Sequence, residues 1–196
     1  MTAAQNSDRH QELPLLIGVT GASGTIYAFQ LLRELKKLEI PTHLIMSKMA
    51  QLVASHEGYG DLSKGASRSF SNDDFFAPPA SGTARYRGMV IAPCSMGTVG
   101  RIASGISDTL ITRAADVQLK EGRSLILLPR EAPFSEIHLE NLLRLKRAGA
   151  TILPASPHFY NRPQTVEEVV NSVIAKVLDQ LQIDHKLAKP WGSSTV

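Results

Sequence analysis

The sequence predicts an α/β fold: a three-layer sandwich of flavodoxin-like or Rossmann type around a mostly parallel sheet. Three observations carry this. Short apolar runs rich in Val, Ile and Leu alternate with helical segments. The runs are continuously apolar, as strands covered on both faces are. Small and polar residues follow each run, and in open α/β sheets ligands bind outside the carboxyl ends of the strands.

The predicted strands are Leu15 to Thr20, Thr42 to Met46, Gly88 to Ala92, Ser124 to Leu128 and Thr151 to Leu153. Between them, Thr25 to Leu38 carries Leu31, Leu35 and Leu38 on one helical stripe. From Thr165 to Leu181 the residues Val166, Val169, Val170, Val173, Ile174, Val177, Leu178 and Leu181 follow the i, i+3, i+4, i+7 rule. Thr165 with Glu168 reads as a capping box at its start. Ser107 to Glu121 reads as a helix with Arg113, Asp116, Lys120 and Glu121 at ion-pair spacings. Gly58 to Tyr86, with Phe75, Phe76, Pro78, Pro79 and Gly82, reads as irregular: a loop over a site or a surface excursion.

The chain of 196 residues suits one domain with a real core. The expected layout is a polar, frayed tail over 1–13 and a single domain over 14–192. A net charge of +3 without a Lys/Arg run excludes nucleic acid as the expected partner. No apolar run approaches the roughly 20 residues of a membrane span. The start, MTAAQNSDRHQE, lacks the apolar stretch of a secretory signal. With one cysteine, Cys94, no internal disulfide can form, which suits a reducing compartment. The expected location is the cytoplasm.

The residues after each strand hold the candidate chemistry. Gly18 to Gly24 lets backbone approach a ligand, and N–H groups at the next helix start attract a phosphate; a tight turn alone is the plainer reading. No Gly-Lys-Ser/Thr follows, so this is not a Walker loop. Ser47-Lys48 stands where an NAD-binding domain places an acid on the ribose, and a hydroxyl beside a lysine suits a mononucleotide phosphate better. A helix cap followed by a surface lysine explains it equally. Ala92 to Thr98 offers Ser95, Thr98 and an irregular backbone. Cys94 has no evident base partner and reads as a buried small hydrophobe. Arg130 can fork onto a phosphate and Glu131 can act as acid or base, or the two form a surface ion pair. Tyr160 can hydrogen-bond a phosphate or pack in the core. His138 and His158 lack metal-ligand spacing, and no metal site is expected.

Read together, Gly21-Ala-Ser-Gly24 with Ile26-Tyr27, Ser47-Lys48, Ala92-Pro-Cys-Ser-Met96, Ser107-Asp108, Arg113-Ala-Ala-Asp-Val117, Leu119-Lys-Glu121, Arg130-Glu131, His138-Leu139 and Pro157 to Tyr160 with Pro163 occur in the order and spacing of a known family. Over about residues 14 to 192 the chain resembles the UbiX-like flavin prenyltransferases. That resemblance implies a homo-dodecamer with sites between subunits. It implies FMN at Gly21, Ala22, Ser23, Ser47, Ser95, Met96, Gly97, Thr98 and Arg130. It implies a prenyl phosphate, dimethylallyl monophosphate, near Ser23, Arg113, Lys120, Glu131, Tyr160, Lys176 and Trp191, with Glu131, Ser23, Lys120 and Arg113 in catalysis.

The implied reaction needs no metal. It bonds N5 of reduced FMN to the prenyl C1 and C6 to C3, and hands the prenylated FMN to a UbiD-type decarboxylase. Lys176 replaces a frequent arginine, keeping the charge and losing the bidentate fork. Pro190-Trp191 replaces the usual Arg-Trp, Asp108-Thr109 the common Asp-Asn, and Phe75 or Phe76 stands for a second aromatic face. The rival expectations are an FMN-dependent cysteine decarboxylase, which uses an active-site His, and a non-catalytic flavin-binding subunit. A short-chain dehydrogenase is excluded, because no Tyr has Lys four residues on.

Overall fold

The computed structural model describes residues 13–187. Six strands form one sheet in the order β3-β2-β1-β4-β5-β6. They are β1 (Leu15–Val19), β2 (Thr42–Met46), β3 (Arg68–Ser71), β4 (Gly88–Cys94), β5 (Leu125–Pro129) and β6 (Thr151–Ile152). All five pairings are parallel. The order reverses between β1 and β4, the switch point where such sheets open a crevice for ligands.

The helices are α1 (Thr25–Lys37), α2 (Lys48–His56), α3 (Met96–Ala103), α4 (Leu110–Lys120), α5 (Glu136–Arg147) and α6 (Val166–Gln180). Strands β1, β4 and β5 are buried along their whole length, because helices cover both faces. One core packs Leu31 and Leu35 of α1 and Val173, Ile174 and Val177 of α6 against Leu15, Ile17 and Val90. The other packs Val99 of α3, Ile111 and Ala115 of α4 and Leu145 of α5 against Leu16, Ile91 and Leu127. Neighbouring strand residues alternate between the two cores, as the two-residue period of a strand requires.

The sequence reading needs three corrections. Residues 58–86 are not irregular throughout: they contain β3 and short 3-10 turns at Leu62–Gly65 and Pro78–Ala80. β3 is an exposed edge strand, so it lacks the apolar run that marks a buried one. The helix expected from Ser107 begins at Leu110, where Thr109 and Thr112 cap each other reciprocally. The box at Thr165 is half formed: the Thr165 hydroxyl accepts from Glu168 N, but the Glu168 carboxylate accepts from Gln164 N at 2.6 Å, one residue early.

Candidate functional site

The carboxyl edge of the sheet is drawn together by a buried threonine. Thr20 Oγ1 donates to Pro93 O at 2.9 Å and accepts from Ser95 N at 2.8 Å, tying the β1 turn to the β4 turn. From the far side, Arg130 Nε donates to Ser23 O at 3.0 Å. Ser47 N donates to Val19 O at 3.0 Å. The turns after β1, β2, β4 and β5 therefore form one ridge.

Gly21 is there because nothing larger fits: a Cβ on it would lie 2.5 Å from Met49 Cβ, at the start of α2. Gly24 has φ +104, a left-handed conformation that a side chain resists. Ala22 is buried and Ser23 exposed. Ser47 caps α2, its hydroxyl accepting from Ala50 N at 3.0 Å, and Lys48 reaches out to Asp73 at 3.6 Å. Ser95 caps α3, accepting from Thr98 N at 3.3 Å, with Thr98 Oγ1 3.0 Å away. Met96 is buried in the core, so only its backbone can serve a ligand, while Gly97 is exposed.

Sequence reasoning missed Thr20 and Glu57. Glu57 follows the last turn of α2, and its carboxylate accepts from Gly24 N at 2.9 Å and Thr25 N at 2.7 Å. Burial works to raise its pKa. The hydrogen bonds from Gly24 N–H, the Ser23 and Thr25 hydroxyls and Thr25 N–H outweigh that and hold it below the usual carboxylate range. An anion thus already occupies the start of α1, the place a phosphate was expected. The one sequence hint was an acid at a helix C-terminus, where the dipole disfavours it.

Cys94 is fully buried, and desolvation drives its thiol pKa far up. It is a packing residue, as expected. Arg130 and Glu131 do not form the alternative ion pair: Arg130 serves Ser23, and Glu131 Oε1 accepts from Ala132 N at 3.1 Å. Tyr160 is exposed after β6 and stacks on His158 at 5.5 Å. Phe75 is half-exposed and Phe76 fully exposed, so neither is a core residue. Trp191 lies outside the described residues. Among the described residues no cluster of His, Cys, Asp or Glu could hold a metal ion.

Two predicted cations sit elsewhere. Helix α4 starts at the carboxyl edge, where Leu110 N bonds Asn72 O just beyond β3, and runs to the amino end. By helix rise, Lys120 lies about 16 Å from that start. It pairs with Glu121, whose neighbour Arg123 bonds Gly82 O and Ala84 O just ahead of β4. Lys176 is as far along α6, and just past the end of that helix Leu181 O and Gln182 O accept from Arg87, also at the amino end. Arg113, one turn into α4, bonds Ala80 O at 3.0 Å and Asp116 at 2.8 Å. One chain does not bring Lys120 and Lys176 to Ser23, Arg130 and Glu131.

A parallel sheet with a glycine-serine ridge at its switch point defines a nucleotide-binding α/β protein, and residues 3–178 match the family model described as Flavoprotein. The flavin prenyltransferase UbiX of Methanocaldococcus jannaschii is 44% identical over 92% of this chain and 100% of its own. That of Pseudomonas aeruginosa is 45% identical over 91% and 93%. The solved AnUbiX (PadA1), in complex with FMN and dimethylallyl pyrophosphate, superposes with TM-score 0.91 at 37% identity, covering 94% of this chain and 100% of that one. A dodecameric FMN-dependent UbiX-like decarboxylase from Escherichia coli O157:H7 superposes at 0.86 with 45% identity, over 88% and 97%. The chain belongs to the UbiX flavin prenyltransferase family. The peptidyl-cysteine decarboxylase EpiD, 18% identical with TM-score 0.62, shares the fold alone.

Proposed function

We propose that this chain joins the dimethylallyl group of dimethylallyl monophosphate to N5 and C6 of reduced FMN. The observation that carries the proposal is the ridge of Gly21, Ser23, Ser47, Ser95, Thr98 and Arg130, in a chain aligned almost end to end with UbiX relatives. The ridge fits a flavin mononucleotide: Gly21 leaves room only for backbone, and Ser23 and Gly97 face solvent. Reduced FMN supplies the nucleophilic N5 and C6.

The protein's share is electrostatic and positional. Phosphate leaves poorly until its charge is neutralised. Arg113, Lys120 and Lys176 are assigned that role, with Lys120 and Lys176 supplied by neighbouring copies, since within one chain they lie at the other end. A dodecamer like that of the Escherichia coli relative offers such neighbours. Glu131 is assigned to hold the phosphate or protonate it as it departs. Tyr160 offers a hydroxyl to the phosphate and a ring face to the allyl group. Glu57 stays anionic beside Ser23 and fixes the turn that carries it. The product is assigned to a UbiD-type decarboxylase.

The test is mass spectrometry of the flavin after anaerobic incubation with reduced FMN and dimethylallyl monophosphate. A flavin heavier by C5H8, absent with Glu131→Gln, is expected. Unchanged flavin with both the monophosphate and the diphosphate overturns the reading.

A further inference from the structure

Lys176 does not stand alone on α6. Its Nζ donates to Asp179 Oδ2 at 3.0 Å, one turn on. The other oxygen, Asp179 Oδ1, lies 3.0 Å from His185 Nε2. The His185 tautomer follows from its second nitrogen: Leu187 N donates to Nδ1 at 3.3 Å, so the proton sits on Nε2 and points at Asp179. The His185 side chain is only 10% exposed, whereas those of Lys176 and Asp179 are 61% and 46% exposed. A fixed imidazole thus holds a carboxylate, and the carboxylate holds a solvent-facing ammonium. Burial would raise the Asp179 pKa, but the hydrogen bonds from Lys176 and His185 and the charge of Lys176 outweigh it and hold the group below the usual carboxylate range.

This arrangement answers a specific weakness. A lysine is a point charge on a flexible four-carbon stem, while an arginine brings a rigid fork. At a phosphate-binding position, a lysine therefore needs something else to aim it. An ammonium has three donors, so one spent on Asp179 leaves two for a phosphate.

We propose that Asp179 is a positioning residue for the donor phosphate, holding Lys176 in its binding conformation, and that His185 in turn fixes Asp179. The inference rests on the reading of Lys176 as a donor-phosphate ligand. Asp179 is assigned no contact with the donor and acts through Lys176. Because the pair is exposed, its effect is modest.

The experiment is calorimetric titration of dimethylallyl monophosphate into the full-length, FMN-loaded protein in the oxidised state, where no turnover occurs. Asp179→Asn should weaken donor binding up to about fivefold, with FMN affinity unchanged. In a Lys176→Met background the same change should do nothing more, since there is no ammonium left to aim. His185→Phe should follow Asp179→Asn, and His185→Gln, which keeps an N–H donor, should restore binding. Donor affinity that is unchanged or tighter in Asp179→Asn overturns the proposal. So does an equal loss in the Lys176→Met background, or loss of FMN, which would mark a purely structural role. Wild type that binds donor yet makes no heavier flavin on reduction refutes the transfer reaction while leaving Asp179 testable by affinity. Wild type that binds FMN but no donor overturns both.

Discussion

The two ends of the sheet are built on different principles. At the carboxyl end, backbone groups and short side chains do the work: Thr20 bridges two turns, Glu57 takes two N–H groups, and Gly21 is fitted against Met49. At the amino end the candidate groups are long exposed cations, each held by an acid of its own chain, as Lys120 is by Glu121 and Lys176 by Asp179. The first kind of site is preorganised by burial and leaves little to adjust. The second is a set of charges held ready on a surface. In the proposed reading another copy's carboxyl edge completes it, the first kind of site takes the flat flavin and the second serves the leaving phosphate.

The sharpest way to break this contrast is at Gly21. Gly21→Val should push α2 away from the β1 turn and cost about 1–3 kcal/mol of stability. Denaturant unfolding checks that cost, and equilibrium dialysis should find FMN retention lost while Lys120 and Lys176 are untouched.

A smaller effect is expected at Glu57. Its folded pKa lies below the unfolded one, so its contribution is complete above the unfolded pKa and is lost as pH falls through the folded one. Glu57→Gln should cost about 1 kcal/mol at neutral pH, allowing for solvent screening. It should also flatten the acid limb of stability against pH, below the ordinary glutamate range. Thermal melts across that range decide it; parallel curves for wild type and variant would show that Glu57 is not the anion that braces the turn.

The smallest effect belongs to an exposed ion pair on α4. Asp116→Asn releases Arg113 from a surface pair, still anchored on Ala80 O. Stability should move by no more than about 0.5 kcal/mol, in a urea titration at low salt, and the difference should vanish at high salt. A loss as large as that at Gly21 would erase the distinction between buried turns and exposed charge pairs.

Much of this is legible in the sequence. Continuous apolar runs such as Leu15–Val19 and Leu125–Pro129 are what two-sided burial demands, and they were readable as strands. The α6 stripe was readable too, because a 3.6-residue period leaves a mark in any amphipathic helix. Ser47, Ser95 and the glycines announced themselves as turn and cap residues. β3 did not, since Arg68–Ser71 is an edge strand with three of its four residues exposed and only Phe70 packed against the core. The capping box at Thr165 misled because the pattern fixes which groups are available, not which N–H the carboxylate reaches.

By itself, then, the sequence determined what is local and periodic: strand and helix placement, the caps, the one inert cysteine, and the order of motifs that marks the family. Only the tertiary structure decided what depends on distance across the chain. It set Glu57 against Gly24, 33 residues away, and Arg130 against Ser23, 107 residues away. It also sent Lys120 and Lys176 to the end opposite the glycine-serine ridge. Periodicity is a short-range property and survives in one dimension. Which turns meet is set by strand order and crossover, and those exist only once the sheet has formed.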